Sequence, residues 1–304
     1  MRVSVPTSIV ALAAVVVALR MTPPITAQQG DLDPGIVKLV AAVSEERLGV
    51  ILKKLETFET RSTLSSTTST TRGIGAARQW ILDEMKGYSP KLQVSFDSYQ
   101  VVPQGRITRE VELRNVMAVL PGRSPRRIYV SGHYDTVARE GGQGASNAGA
   151  APAAGGARAV DPNAPLDNLA PGVNDDGSGT ALAIELARVF SQSGIEFDAT
   201  LVFMAHVGEE QGLMGAWLHA KKAVDQKIPI QAVLNNDIVG NDRGGNGIVD
   251  GATIRVYSEG GRRLAVARPR ALRAALGRPL RAVAQGAADV APGSVRPRRR
   301  PLGV

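Results

Sequence analysis

The chain has 304 residues, 43% of them hydrophobic, with no cysteine and a formal net charge of +8 at pH 7. This length and apolar content suit one large α/β domain or two small ones, and the missing cysteines exclude a disulfide-stapled fold. The positive charge does not mark a nucleic-acid binder: eleven arginines lie between Arg262 and Val304, leaving 25 basic against 27 acidic residues elsewhere, and no aromatic follows Tyr257 on which a base could stack.

The N-terminus reads as a secretory leader. Arg2 precedes the apolar run Ile9 to Leu19, and a Pro-containing polar stretch leads to Ala27, so residues 1–27 are expected to be removed on export to the periplasm or the medium. The apolar run is too short for a stable membrane span. Helical spacing of Val37, Val40, Val43, Leu48, Ile51, Leu52 and Leu55 predicts a helix over 36–59, followed by a Ser/Thr-rich loop over 62–71 and a second helix over 75–86. Strands are predicted over 92–102, 112–120 and 127–131, the last running into His133. A stretch rich in Gly, Ala, Asn and Pro over 138–171 reads as a long loop. Beyond it come a helix over 178–191, a buried strand over 200–205, a helix over 213–224, a strand over 232–237 and a strand-like run over 253–257. This alternation predicts an α/β fold with a mostly parallel central sheet flanked by helices on both faces, in which function gathers at the carboxyl ends of the strands.

Four polar clusters fall at those ends or beside Gly-rich turns: Gly132-His133-Tyr134-Asp135, Asn174-Asp175-Asp176-Gly177, Glu209-Glu210 and Asn236-Asp237. Each alone has a bland reading as a hydrogen-bonded pair, a turn or a solvated surface. Together they supply what a two-metal hydrolytic site requires, namely imidazole and carboxylate ligands with one carboxylate able to bridge. His133 can ligate through one ring nitrogen while Asp135 accepts a hydrogen bond from the other. Neighbouring Glu209 and Glu210 point in different directions, which suits one to a metal and the other to a proton. Zinc is favoured by this ligand mixture, and manganese or cobalt fit the same atoms.

The runs Ser131 to Thr136, Pro171 to Thr180, Gly208 to Gly215 and Asn236 to Gly240 resemble the M28 family of zinc metallopeptidases, which includes secreted bacterial aminopeptidases; the likeness extends over roughly residues 75 to 257. The resemblance implies two zinc ions bridged by Asp175. His133 and Asp237 would complete one ion and Glu210 would bind the other. Glu209 would be the general base for the attacking water, Asp135 the partner of His133, and a peptide or protein the substrate. In that family a later histidine completes the ion at Glu210. The three histidines here are His133, His206 and His219, so the second site lacks its final ligand. His206 and His219 are read as ordinary packed or surface side chains.

The composition changes near Gly260. The expected organisation is therefore a leader over 1–27, an incomplete peptidase domain over 28–261, and an Arg/Ala/Pro-rich tail over 262–304 with too little apolar content to pack, as in a truncated or frame-shifted form of a longer enzyme. Two other readings remain open at this stage. One is different amide chemistry on the same site, such as glutaminyl cyclisation or carboxypeptidase action. The other is a non-catalytic metal-binding domain.

Overall fold

The computed structural model describes residues 33–137, 169–251, 253–258 and 281–286. The expected leader, most of the Gly/Ala-rich loop and most of the basic tail lie outside the described residues. Among the described residues, no helix is long and apolar enough to cross a membrane.

The helix expected over 36–59 is two helices, α1 (Pro34–Ala41) and α2 (Glu45–Glu56). The break falls at Ser44, whose extended backbone and side chain cap α2 by accepting a hydrogen bond from the Arg47 N–H. After the Ser/Thr loop comes α3 (Gly73–Lys86), then β1 (Gln93–Val101), β2 (Val111–Leu120) and β3 (Ser124–His133). Then follow α4 (Gly177–Gln192), β4 (Ala199–His206), α5 (Met214–Asp225) and β5 (Ile230–Asn235).

One sheet runs in the order β1-β2-β4-β3-β5. Its pairings are antiparallel for β1 with β2 and β2 with β4, and parallel for β4 with β3 and β3 with β5, so β2 alone runs against the other four. The mixed α/β sheet is thus mostly parallel in direction, as expected. Residues that alternate along a strand face opposite sides of the sheet. Val130, Leu201, Phe203 and Ala205 pack with Ile51, Leu55, Ile74, Ile81 and Ile184 of α2, α3 and α4. Tyr129, Val202 and Met204 form a second cluster on the other side, where His219 of α5 meets Tyr129. Strand β4 is therefore covered on both faces, which explains its unbroken apolar sequence.

Two expectations need adjustment. Strand β5 ends at Asn235, so Asp237 stands in the loop beyond the strand rather than on it. Residues Arg281–Gly286, inside the tail read as unable to pack, form a strand β7 that pairs in parallel with β6 (Thr253–Ser258) in a separate two-stranded sheet. A ladder of main-chain bonds needs no particular side chains, so composition does not reveal it. Val233 and Leu234 of β5 are 57% and 58% exposed, unusual for a parallel strand.

Candidate active site

Parallel pairing aligns the carboxyl ends of three strands. His133 is opposite His206 at the end of β4, and Ser131 is opposite Asn235 at the end of β5. The segments that leave these ends carry Asp135, Glu209, Glu210 and Asp237. Helix α4 brings the fourth cluster to the same place, because it starts directly after Asp175 and Asp176 and packs against β3 and the chain leaving β5. A Cβ at Gly179, in its first turn, would lie 2.1 Å from the Asn236 carbonyl oxygen, so glycine is required for this approach.

At the centre stands His133, almost fully buried. Its Nε2 faces Asp175 Oδ1 at 3.3 Å, Glu209 Oε2 at 3.9 Å and Asp237 Oδ1 at 3.9 Å. Its Nδ1 lies 3.1 Å from the main-chain oxygen of Asp135 and 3.6 Å from that residue's Oδ1. The expected carboxylate partner is therefore present, but the main-chain carbonyl is the nearer acceptor. Burial opposes a charge on this imidazole, yet hydrogen bonds with Asp135 and Asp175 outweigh it and hold its pKa up at about 11. A cation at this point is what the surrounding carboxylates select.

Those carboxylates show the complementary effect. Burial, reinforced by the charges of Asp175 and Asp135, pushes Glu210 up to about 7. Burial also pushes Glu209 and Asp237 upward. A group of acids crowded into one partly desolvated place resists ionisation unless positive charge is supplied. A divalent ion would supply it.

The Asp135 side chain is fully buried and performs a task that spacing did not reveal. Its Oδ1 accepts the Glu209 N–H, and its Oδ2 accepts the Glu210 N–H and the Thr63 hydroxyl, at 3.2, 3.2 and 3.1 Å. One carboxylate thus sets the backbone of the Glu pair. The same loop is closed at its base by Asn115 on β2, whose Oδ1 accepts the Val207 N–H and whose Nδ2 donates to the Gly215 carbonyl. Asn115 in turn donates to Asp97, which also takes hydrogen bonds from Tyr99, Lys222 and His219.

The peptide bond between Asp175 and Asp176 is cis, and the two side chains part. Asp175 is open to the site. Asp176 is buried, and its oxygens accept the main-chain N–H groups of His133, Gly179 and Ile238 at 3.0, 2.8 and 3.3 Å. His133, Asp176 and Asp237 do offer three ligand atoms within 4.8 Å of one another. Because the Asp176 oxygens are already engaged, we assign it to fastening β3, α4 and the loop after β5 together, and Asp175 to the site.

Four residues that hold the site's segments in place escaped the sequence reading: Arg61, Thr63, Asn115 and Asp176. Asn115 left a trace, being a polar residue at an inward position between Leu113 and Met117 on β2. Arg61 left none, since an arginine between a helix and a polar loop ordinarily faces solvent. Of the three histidines only His133 meets site carboxylates. His219 is buried between Asp97 and Tyr129, and His206 has a buried Nδ1 without a hydrogen-bond partner.

The sequence model of Peptidase family M28 matches residues 115–268. A probable zinc metalloprotease of Pyricularia oryzae is 40% identical over 244 residues, spanning 78% of this chain and 43% of that protein. One from Pyrenophora teres f. teres is 36% identical over 234 residues, spanning 75% and 44%. The chain belongs to peptidase family M28, and it spans less than half the length of these curated relatives. Among solved structures, the Legionella pneumophila LapA aminopeptidase superposes with a TM-score of 0.58 at 18% identity, over 83% of this chain and 58% of that one. Macrostomum lignano glutaminyl cyclase superposes with a TM-score of 0.56 at 15% identity, over 86% and 77%. Both share the fold.

Proposed function

We propose that this chain carries the zinc site of a metallopeptidase that removes N-terminal residues from peptides. The observation behind this reading is the convergence of Asp175, Glu209 and Asp237 on His133 Nε2, all within 3.9 Å. One imidazole oriented through its other nitrogen, among carboxylates starved of positive charge, is a donor set suited to zinc. Asp175 would be shared by two ions, with His133 and Asp237 on one and Glu210 on the other. The second ion would have two protein ligands among the described residues.

Zinc held by these residues would supply Lewis-acid polarisation of the scissile carbonyl and a bound water able to lose its proton near neutral pH. Glu209, partly exposed beside the site, receives that proton and returns it to the leaving amine. Asp135 keeps Glu209 aimed by holding its main-chain N–H. The LapA aminopeptidase that shares this fold supports a free α-amino group, rather than a blocked end, as the feature recognised in the substrate. The leader-like residues 1–27 support work outside the cytoplasm, in the periplasm or the medium.

The test is turnover of leucine p-nitroanilide by the zinc-loaded chain and by Glu209→Gln. The variant should keep its zinc and lose on the order of 10²–10⁴ in kcat, and N-acetylated leucine p-nitroanilide should not be cleaved. Full turnover by Glu209→Gln would overturn the assigned role, and equal cleavage of the blocked substrate would overturn the exopeptidase reading.

A further inference from the structure

Arg61 lies between α2 and the Ser/Thr-rich loop and is completely buried. A long cationic side chain is seldom placed so unless every donor has a use. Its Nε donates to the Tyr134 carbonyl at 2.7 Å, Nη1 to the carbonyls of Pro171 and Leu55 at 2.6 and 3.1 Å, and Nη2 to the Gly172 carbonyl at 2.8 Å. Its main chain exchanges two more bonds with Thr136, the Arg61 N–H donating to Thr136 Oγ1 and the Thr136 N–H to the Arg61 carbonyl.

The identity of these partners is what matters. Tyr134 separates His133 from Asp135. Pro171 and Gly172 open the turn that delivers Asp175. Gly172 adopts a φ of +44°, and a Cβ there would lie 2.2 Å from Thr136 Cγ2, so the two segments touch where Arg61 joins them. Arg61 thus donates to main-chain carbonyls of both segments. The charge is matched as well. Burial pulls the guanidinium pKa down while the charges of Asp135, Asp176 and Asp175 oppose it, leaving it at about 10.

Building on the zinc site proposed above, we propose that Arg61 is a positioning residue for that site: its buried fork locks the His133–Asp135 and Pro171–Asp175 segments in ligating register and places a fixed positive charge behind the carboxylates. A planar fork with five directed donors can hold four carbonyls at once. A lysine ammonium cannot reproduce that geometry.

The experiment compares zinc affinity, by competition with a chromophoric chelator, and the thermal midpoint of the metal-free protein. The variants are Arg61→Lys, Arg61→Ala and a core control, Ile184→Ala, whose residue lies in α4 away from the ligands. Arg61→Ala should bind zinc at least tenfold more weakly than wild type and recover part of that loss in millimolar guanidinium chloride. Arg61→Lys should fold and still bind more weakly than wild type. Ile184→Ala should keep wild-type affinity despite a comparable fall in midpoint. Wild-type affinity in Arg61→Lys, or equal losses in Arg61→Ala and the control, would overturn the positioning role. Failure of the wild-type chain itself to bind zinc would instead overturn the metal site on which this role rests.

Discussion

Asp135 accepts the main-chain N–H of Glu209 at 3.2 Å while the main-chain oxygen of the same aspartate lies 3.1 Å from His133 Nδ1. One residue thereby couples the orientation of the imidazole at the end of β3 to that of the Glu pair at the end of β4. The edges proposed to ligate metal and to handle a proton are thus parts of one hydrogen-bonded unit.

Substitution of Asp135 by asparagine tests this coupling. An amide NH₂ in place of one oxygen would face an N–H of Glu209 or Glu210, donor against donor. Zinc affinity and kcat should both fall, by about 10–100-fold, as read by chelator competition and anilide turnover. Unchanged values for both would contradict the coupling.

Asn115 offers a test free of metal. Truncation to alanine leaves the buried Val207 N–H without its partner and removes bonds to the Gly215 carbonyl and to Asp97. Stranding one buried group costs about 1–3 kcal/mol. Urea unfolding of Asn115→Ala should show destabilisation of at least that size, with increased hydrogen exchange across residues 207–215. A change below about 0.5 kcal/mol, the range of ordinary surface substitutions, would mean the clasp is dispensable.

A third expectation concerns pH. Burial holds His206 down at about 4, and its Nδ1 has no partner that would favour the charged ring. An unfolded histidine titrates near 6.5. Below that value the unfolded chain takes up a proton that the folded chain refuses until about pH 4, so this residue's contribution falls as pH falls through that window. His206→Phe should remove this component. In metal-free protein, the loss of stability between pH 7.5 and pH 5 should be smaller in the variant than in wild type, measured by urea unfolding. Identical losses would contradict the assignment.

The sheet and the four polar clusters that converge beside it were legible because they rest on local signals. The unbroken apolar run of β4, the inward alternation of β2, and acidic or Gly-rich segments at strand ends all follow from backbone periodicity. What escaped notice depends on contacts between distant residues. Arg61 meets Gly172 across 111 positions and Asn115 meets Gly215 across 100, and neither neighbourhood carries a local mark of its partner. Asp176 was obscured by Asp175. Two adjacent aspartates look alike in sequence, and only the three main-chain donors around Asp176 separate the fastener from the ligand. The division of 36–59 into α1 and α2 was visible in principle, since Ser44 followed by Glu45 and Glu46 is a helix start, but the continuing apolar spacing of Val43, Leu48 and Ile51 masked it.

The most direct test of the metal site is a crystal of the zinc-soaked chain examined by anomalous scattering at the zinc edge. The account predicts a zinc peak within ligating distance of His133 Nε2, Asp175 and Asp237, with a second, weaker peak toward Glu210. No peak at His133, or zinc bound only elsewhere on the chain, would contradict it.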